Sequence, residues 1–282
     1  MENRVYPRLK NAILLCLLLI GIATGLSLLL LIFEYALDLS IDPLLREILP
    51  LLGIIVSYGL VLLIGHKKTK RKFSEVFKFN AVPPFLWVAA TILTVGLMII
   101  LSLLDNLLTL ILPMPGWWIA MFRSMAIAPP LIIAIISIGI QPAFTEELLF
   151  RGLILDGLSR NYSKRKAIIV SALLFGLIHF NPWQFLLGFI IGIFLAWICI
   201  ETKSILLCIY IHFLNNTLVT MAYRYNDLIP IKGFLYLSST VEFSPWWFTL
   251  LGALMLALGI MLMIKGIRKA KTEVQPDAII EA

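Results

Sequence analysis

The chain has 282 residues, of which 61% are hydrophobic and only 14% charged, and its mean hydropathy is +0.99. Soluble domains sit near ~45–50% apolar and ~25% charged, so these values exclude a disordered chain, a nucleic-acid-binding module and an ordinary soluble enzyme. The net charge of +7 then reads as basic loops on one side of a membrane rather than a nucleic-acid surface.

The apolar residues fall in uninterrupted runs, and a spanning helix needs ~20 of them. Met1–Lys10 is basic and leads into the run 12–35. That run is too long for the apolar core of a signal peptide and lacks a cleavage site, so it reads as a first span. The second, 48–65, is followed by the basic run His66–Lys78, which reads as an anchor on the positive side, in contact with membrane lipid. After the third, 84–104, Trp117-Trp118 and Ile119–Ala128 suggest an interfacial segment. The fourth is 129–155. The fifth and sixth, 166–180 and 183–201, are joined only by Asn181-Pro182 and predict a tight hairpin. The seventh is 204–222. The eighth, 245–264, begins at an aromatic pair, Trp246-Trp247, and a basic tail, 265–282, follows. Small-residue stripes at Gly21/Gly25 and Gly188/Gly192/Ala196 predict close helix packing within the chain. Cys16, Cys199 and Cys208 all lie in apolar runs and read as buried hydrophobes; no C-x-x-C pair suggests a disulfide framework or a zinc ribbon. The expected fold is all-α, a polytopic bundle of about eight transmembrane helices in one integral-membrane domain, 1–282.

Lys and Arg orient this bundle. With the N-terminus inside, 18 of the 23 fall on the cytoplasmic side. Four fall on the far side, Arg46, Arg123, Arg224 and Lys232, and Arg151 lies within a span. The bias predicts both termini in the cytoplasm, most simply at the cell membrane.

Polar groups inside the spans carry the functional signal, because each is expensive there without a partner or a task. The fourth span holds Gln141-Pro142-Ala143-Phe144-Thr145-Glu146-Glu147 and then Arg151. The fifth holds Phe175 and His179, and the seventh His212 and Asn216. Glu147 and Arg151 are four residues apart, on one helix face and within ion-pair reach. Glu146 is turned ~100° away from Glu147 and is left for another partner. Pro142 predicts a kink beside the carboxylates. At ~1.5 Å per residue, Glu146, His179, His212 and Asn216 lie roughly 14, 20, 12 and 18 Å from the cytoplasmic ends of their helices. These depths fit one cavity. A carboxylate in such a cavity can act as general base on water, and His and Asn can donate to a developing oxyanion. The same groups could instead hold zinc through Glu146, His179 and His212, or relay protons in a transporter.

The ordered set E-E-x-x-x-R (Glu146, Glu147, Arg151), F-x-x-x-H (Phe175, His179) and H-x-x-x-N (His212, Asn216) resembles the CPBP family. That family comprises CAAX-type prenyl-protein endopeptidases and bacteriocin-processing or immunity (Abi) proteins. The resemblance covers residues 129 to 222, the catalytic helices. It implies an eight-helix intramembrane protease with a cavity open to the cytoplasm, acting on a membrane-associated protein or peptide. By that resemblance Glu146 and His179 activate water, His212 and Asn216 form the oxyanion site, and Glu147, Arg151 and Phe175 support them. A metal-free glutamate mechanism without cofactor is expected, with zinc as the alternative, since Asn is a poor zinc ligand. The rival readings are a non-catalytic immunity or scaffold protein and, behind it, a proton-coupled transporter.

Overall fold

The computed structural model describes residues 5–36, 42–229, 231–235 and 241–274. Arg4 and the end of the basic tail, 275–282, lie outside the described residues. The described chain is helical: α1 (Leu9–Ala36), α2 (Pro43–Thr69), α3 (Phe73–Val76), α4 (Pro84–Ile111), α5 (Gly116–Ala126), α6 (Leu131–Asn161), α7 (Lys164–Leu177), α8 (Pro182–Thr202), α9 (Leu206–Arg224) and α10 (Trp246–Val274). Seven of them, α1, α2, α4, α6, α8, α9 and α10, are long and apolar enough to cross a membrane. The expected fifth span is the exception. Its helix α7 has 14 residues, about 21 Å against a hydrocarbon thickness of ~30 Å.

By internal contacts the chain forms two compact units, Met1–Phe79 with Pro129–Trp197, and Asn80–Ala128 with Ile198–Ala282. In the first unit α1 packs on α2, and its buried residues are Ala12, Leu15, Cys16 and Leu19. These lie on another part of α1 from Gly21 and Gly25, where a methyl group added at either Cα would meet nothing within 4 Å. The expected close approach at this stripe is therefore absent among the described residues. The second stripe behaves as expected. In the α7–α8 hairpin Gly188 faces Gly176, and Gly192 meets Ala172, whose Cα would lie 3.0 Å from an added Cβ. Leu149, Phe150, Leu153, Ile154 and Leu158 in the C-terminal half of α6 are fully buried and form the core of this unit.

In the second unit α4 is the central helix, and α10 lies along it. Gly252, Gly259 and Gly266 recur every seven residues on the contact face. They face Ile99, Leu93 and Leu86 of α4, while Gly96 of α4 faces the Leu256 backbone. Without an aqueous driving force between helices, such close van der Waals approach is what holds them. The segment 231–235 docks on this frame: Asn106 Nδ2 donates to the Gly233 carbonyl at 2.7 Å, and Leu235 N–H donates to Ser102 Oγ at 2.9 Å. The expected interfacial segment after Trp117 is the eleven-residue α5, with Trp117 exposed and Trp118 buried against Phe122.

Candidate active site

The site begins with an irregular helix. Within α6 the hydrogen bonding widens to the π pattern over Ile135–Ile140, returns to α over Gln141–Glu147, and widens again over Leu148–Ile154. Gln141 N–H reaches back five residues to the Ile136 carbonyl, and Leu155 N–H likewise to Phe150. Pro142 supplies a local cause for the first widening, since its ring cannot sit against the carbonyl four residues earlier and it has no N–H to give. What the sequence predicts as a proline kink thus takes the form of a widened turn. π segments are rare and concentrate at functional sites, and here two of them bracket Glu146 and Glu147.

The two carboxylates have different surroundings. Glu147 Oε1 accepts from Arg151 Nη1 at 2.9 Å, and neither side chain has any exposed surface. The guanidinium also reaches the Gly192 carbonyl at 3.5 Å and lies 4.2 Å above the centre of the Phe175 ring. The expected structural pair is therefore present. Glu146 is half-buried and faces α2, where the Tyr58 hydroxyl is a side-chain hydrogen-bond partner. Below it, Thr145 Oγ1 donates to the Gln141 carbonyl at 3.0 Å and accepts from Gln141 Nε2 at 2.8 Å.

His179 lies beyond the helix that the apolar run predicts for it. α7 stops at Leu177, and His179 sits in the turn, followed by Phe180 in the left-handed region at φ +54°. Asn181 braces this turn, its Nδ2 donating to the His179 carbonyl at 2.9 Å and its Oδ1 accepting from Gln184 N–H at 2.7 Å. The ring is oriented by Phe175: the rings meet edge to face at 5.5 Å, and His179 Nδ1 lies 3.0 Å from the Phe175 carbonyl. A carbonyl only accepts, so Nδ1 carries the proton, and in neutral imidazole the lone pair is then on Nε2. Glu147, Arg151, Phe175 and His179 thus form one chain of contacts across three segments of the first unit.

His212 and Asn216 belong to the second unit, one turn apart on α9. His212 is buried and Asn216 half-buried. Asn216 Oδ1 accepts from Asn215 Nδ2 at 3.2 Å, which fixes the orientation of the amide. Among the described residues, no group of three His, Cys, Asp or Glu side chains is arranged to hold a metal ion.

Sequence reasoning misses two contributors. Tyr58 sits in a span that the motifs do not cover; its polar tip in an apolar run is the available signal. Asp156, nearly buried near the end of α6, accepts from Arg71, from Lys78 at 3.0 Å and from Arg160 at 3.1 Å. The basic run after α2 is thus partly tied to α6 rather than wholly a solvated anchor.

The fold and site define a class: an all-helical membrane protein whose π-interrupted helix carries one carboxylate paired with arginine and a neighbour bonded to a tyrosine hydroxyl. Residues 127–218 match the family described as type II CAAX prenyl endopeptidase Rce1-like, about a third of the chain. The matched segment is the one that carries the motifs, and the match supports a CAAX-type intramembrane protease in general. All the motif residues from Glu146 to Asn216 fall inside it. No curated protein and no solved structure matches the chain.

Proposed function

We propose that this protein is an intramembrane endopeptidase that hydrolyses a peptide bond of a membrane-associated protein or peptide with water activated by Glu146. The observation that carries the reading is the partner set of the two adjacent carboxylates. Arg151 neutralises Glu147, whereas Glu146 meets the neutral hydroxyl of Tyr58, a donor that leaves the carboxylate its charge. In the proposed step Glu146 takes a proton from water as the oxygen attacks the scissile carbonyl. His179, with its lone pair on Nε2, accepts a hydrogen bond from the same water and holds it for attack. The motif resemblance assigns the oxyanion to His212 and Asn216, and the proton on Glu146 then passes to the departing amine. No protein–substrate covalent bond forms, and no step needs a metal.

Orientation is part of the proposal. α7 and α8 form a hairpin, so the chain returns to its starting side whether or not the short α7 crosses fully. The Lys and Arg bias then puts both termini in the cytoplasm. The domain match supports the proposed substrate class, a polypeptide terminus presented at the bilayer, prenylated or not.

The test is made in cells expressing the wild type, Glu146→Gln or His179→Ala at matched abundance. New C-termini of membrane proteins, compared by mass spectrometry, should be present with the wild type and absent with both variants. Identical C-termini in all three would overturn the enzyme reading in favour of an immunity or scaffold role.

A further inference from the structure

Tyr58 is a buried polar group that no motif assigns. It lies on α2, more than eighty positions before Glu146, outside the matched segment 127–218. α2 runs against α6 in the first unit, and Gly65 lets the two helices approach closely at Leu153. Around this seam Ser57 and Val61 are fully buried and Tyr58 is 6% exposed. Ser57 Oγ donates to the Gly53 carbonyl of its own helix at 2.7 Å and so does not compete for Glu146. A buried phenol needs a partner for its O–H, and Tyr58 finds it in the Glu146 carboxylate.

We infer that Tyr58 is a positioning residue for the reaction, holding the Glu146 carboxylate in the orientation from which it takes the proton of water. The inference rests on the proposed role of Glu146 as base. Its chemical logic is in the contrast between neighbours. A cation beside a carboxylate neutralises it, as Arg151 does for Glu147. A neutral donor fixes the rotation of the carboxylate while leaving its charge. Because Tyr58 is enclosed on a helix and its ring turns about only two side-chain torsions, the hydroxyl is a fixed reference for a Glu side chain that has three.

Tyr58→Phe removes a single oxygen and keeps the packing. In vesicles holding the purified protein, cleavage is read on an internally quenched peptide ending in a CAAX sequence, offered both farnesylated and unmodified. The expected result is a fall in kcat of about 10- to 100-fold, with KM within about twofold and folded protein unchanged. Infrared spectroscopy supplies a readout independent of turnover. The carboxylate band that disappears in Glu146→Gln should shift in frequency in Tyr58→Phe. Unchanged kcat, a loss matched by a loss of folded protein, or an unmoved band would each overturn the assignment of Tyr58. Cleavage retained by Glu146→Gln, or absent from the wild type on both peptides, would instead overturn the reading of Glu146 and this inference with it.

Discussion

Removing the guanidinium of Arg151 should unfold more than it inactivates, and the structure sets the size of the effect. Arg151 Nη1 lies 2.9 Å from Glu147 Oε1, with both side chains fully enclosed. Breaking one partner of a buried pair costs about 3–5 kcal/mol, because the other charge is left uncompensated. Arg151→Met keeps much of the volume but strands the Glu147 carboxylate, so the full range applies. Glu147→Gln strands the cation instead, yet the guanidinium keeps the Gly192 carbonyl and the Phe175 face. A desolvated cation–π contact is worth about 2 kcal/mol, so this variant should fall at the mild end. The double variant holds no stranded charge and should be more stable than Arg151→Met alone by about 1–3 kcal/mol. The assay is reversible unfolding in mixed micelles together with steady-state abundance. At about 1.4 kcal/mol per tenfold, Arg151→Met should shift the folded ratio by roughly a hundredfold or more. If the double variant is no more stable than Arg151→Met, the two side chains are not coupled and the argument fails.

Further outcomes follow from other parts of the molecule. Asp156→Asn weakens the anchor of Arg71, Lys78 and Arg160, so trypsin should cut between Lys67 and Lys78 several-fold faster than in the wild type; an unchanged rate would refute the tie. Asn216→Ala should lower kcat about 10²–10³-fold with KM little changed, as for loss of one oxyanion donor; a rise in KM alone would make Asn216 a binding residue. A membrane-permeant chelator should leave cleavage intact, and abolition reversed by added zinc would establish the metal alternative.

The motif residues are legible in the sequence because polar groups in apolar spans are conspicuous, and the i,i+4 spacing of Glu147 and Arg151 survives in the folded pair. The seven long helices are legible for the same reason, hydrophobic length. The π segments of α6 are not, since the i→i+5 pattern leaves no periodic trace and only Pro142 hints at irregularity. Apolar counting carries the fifth helix to Phe180; Asn181 capping α8 and the left-handed Phe180 end α7 three residues earlier, at Leu177, a local competition that such counting does not register. Tyr58 and Asp156 cannot be ranked from sequence, because their importance lies in partners more than eighty and seventy positions away. The Gly252/Gly259/Gly266 ladder is visible as a spacing, but its partner helix is not.

Cleavage of the CAAX-terminated peptide by purified protein in vesicles, with wild type and Glu146→Gln compared at equal folded amounts, tests the central claim most directly. The account predicts release of the C-terminal fragment by the wild type, with one oxygen of the new carboxylate drawn from labelled water. Glu146→Gln should lower the rate at least about a hundredfold, the scale of a lost general base. Equal release by the two proteins would contradict it.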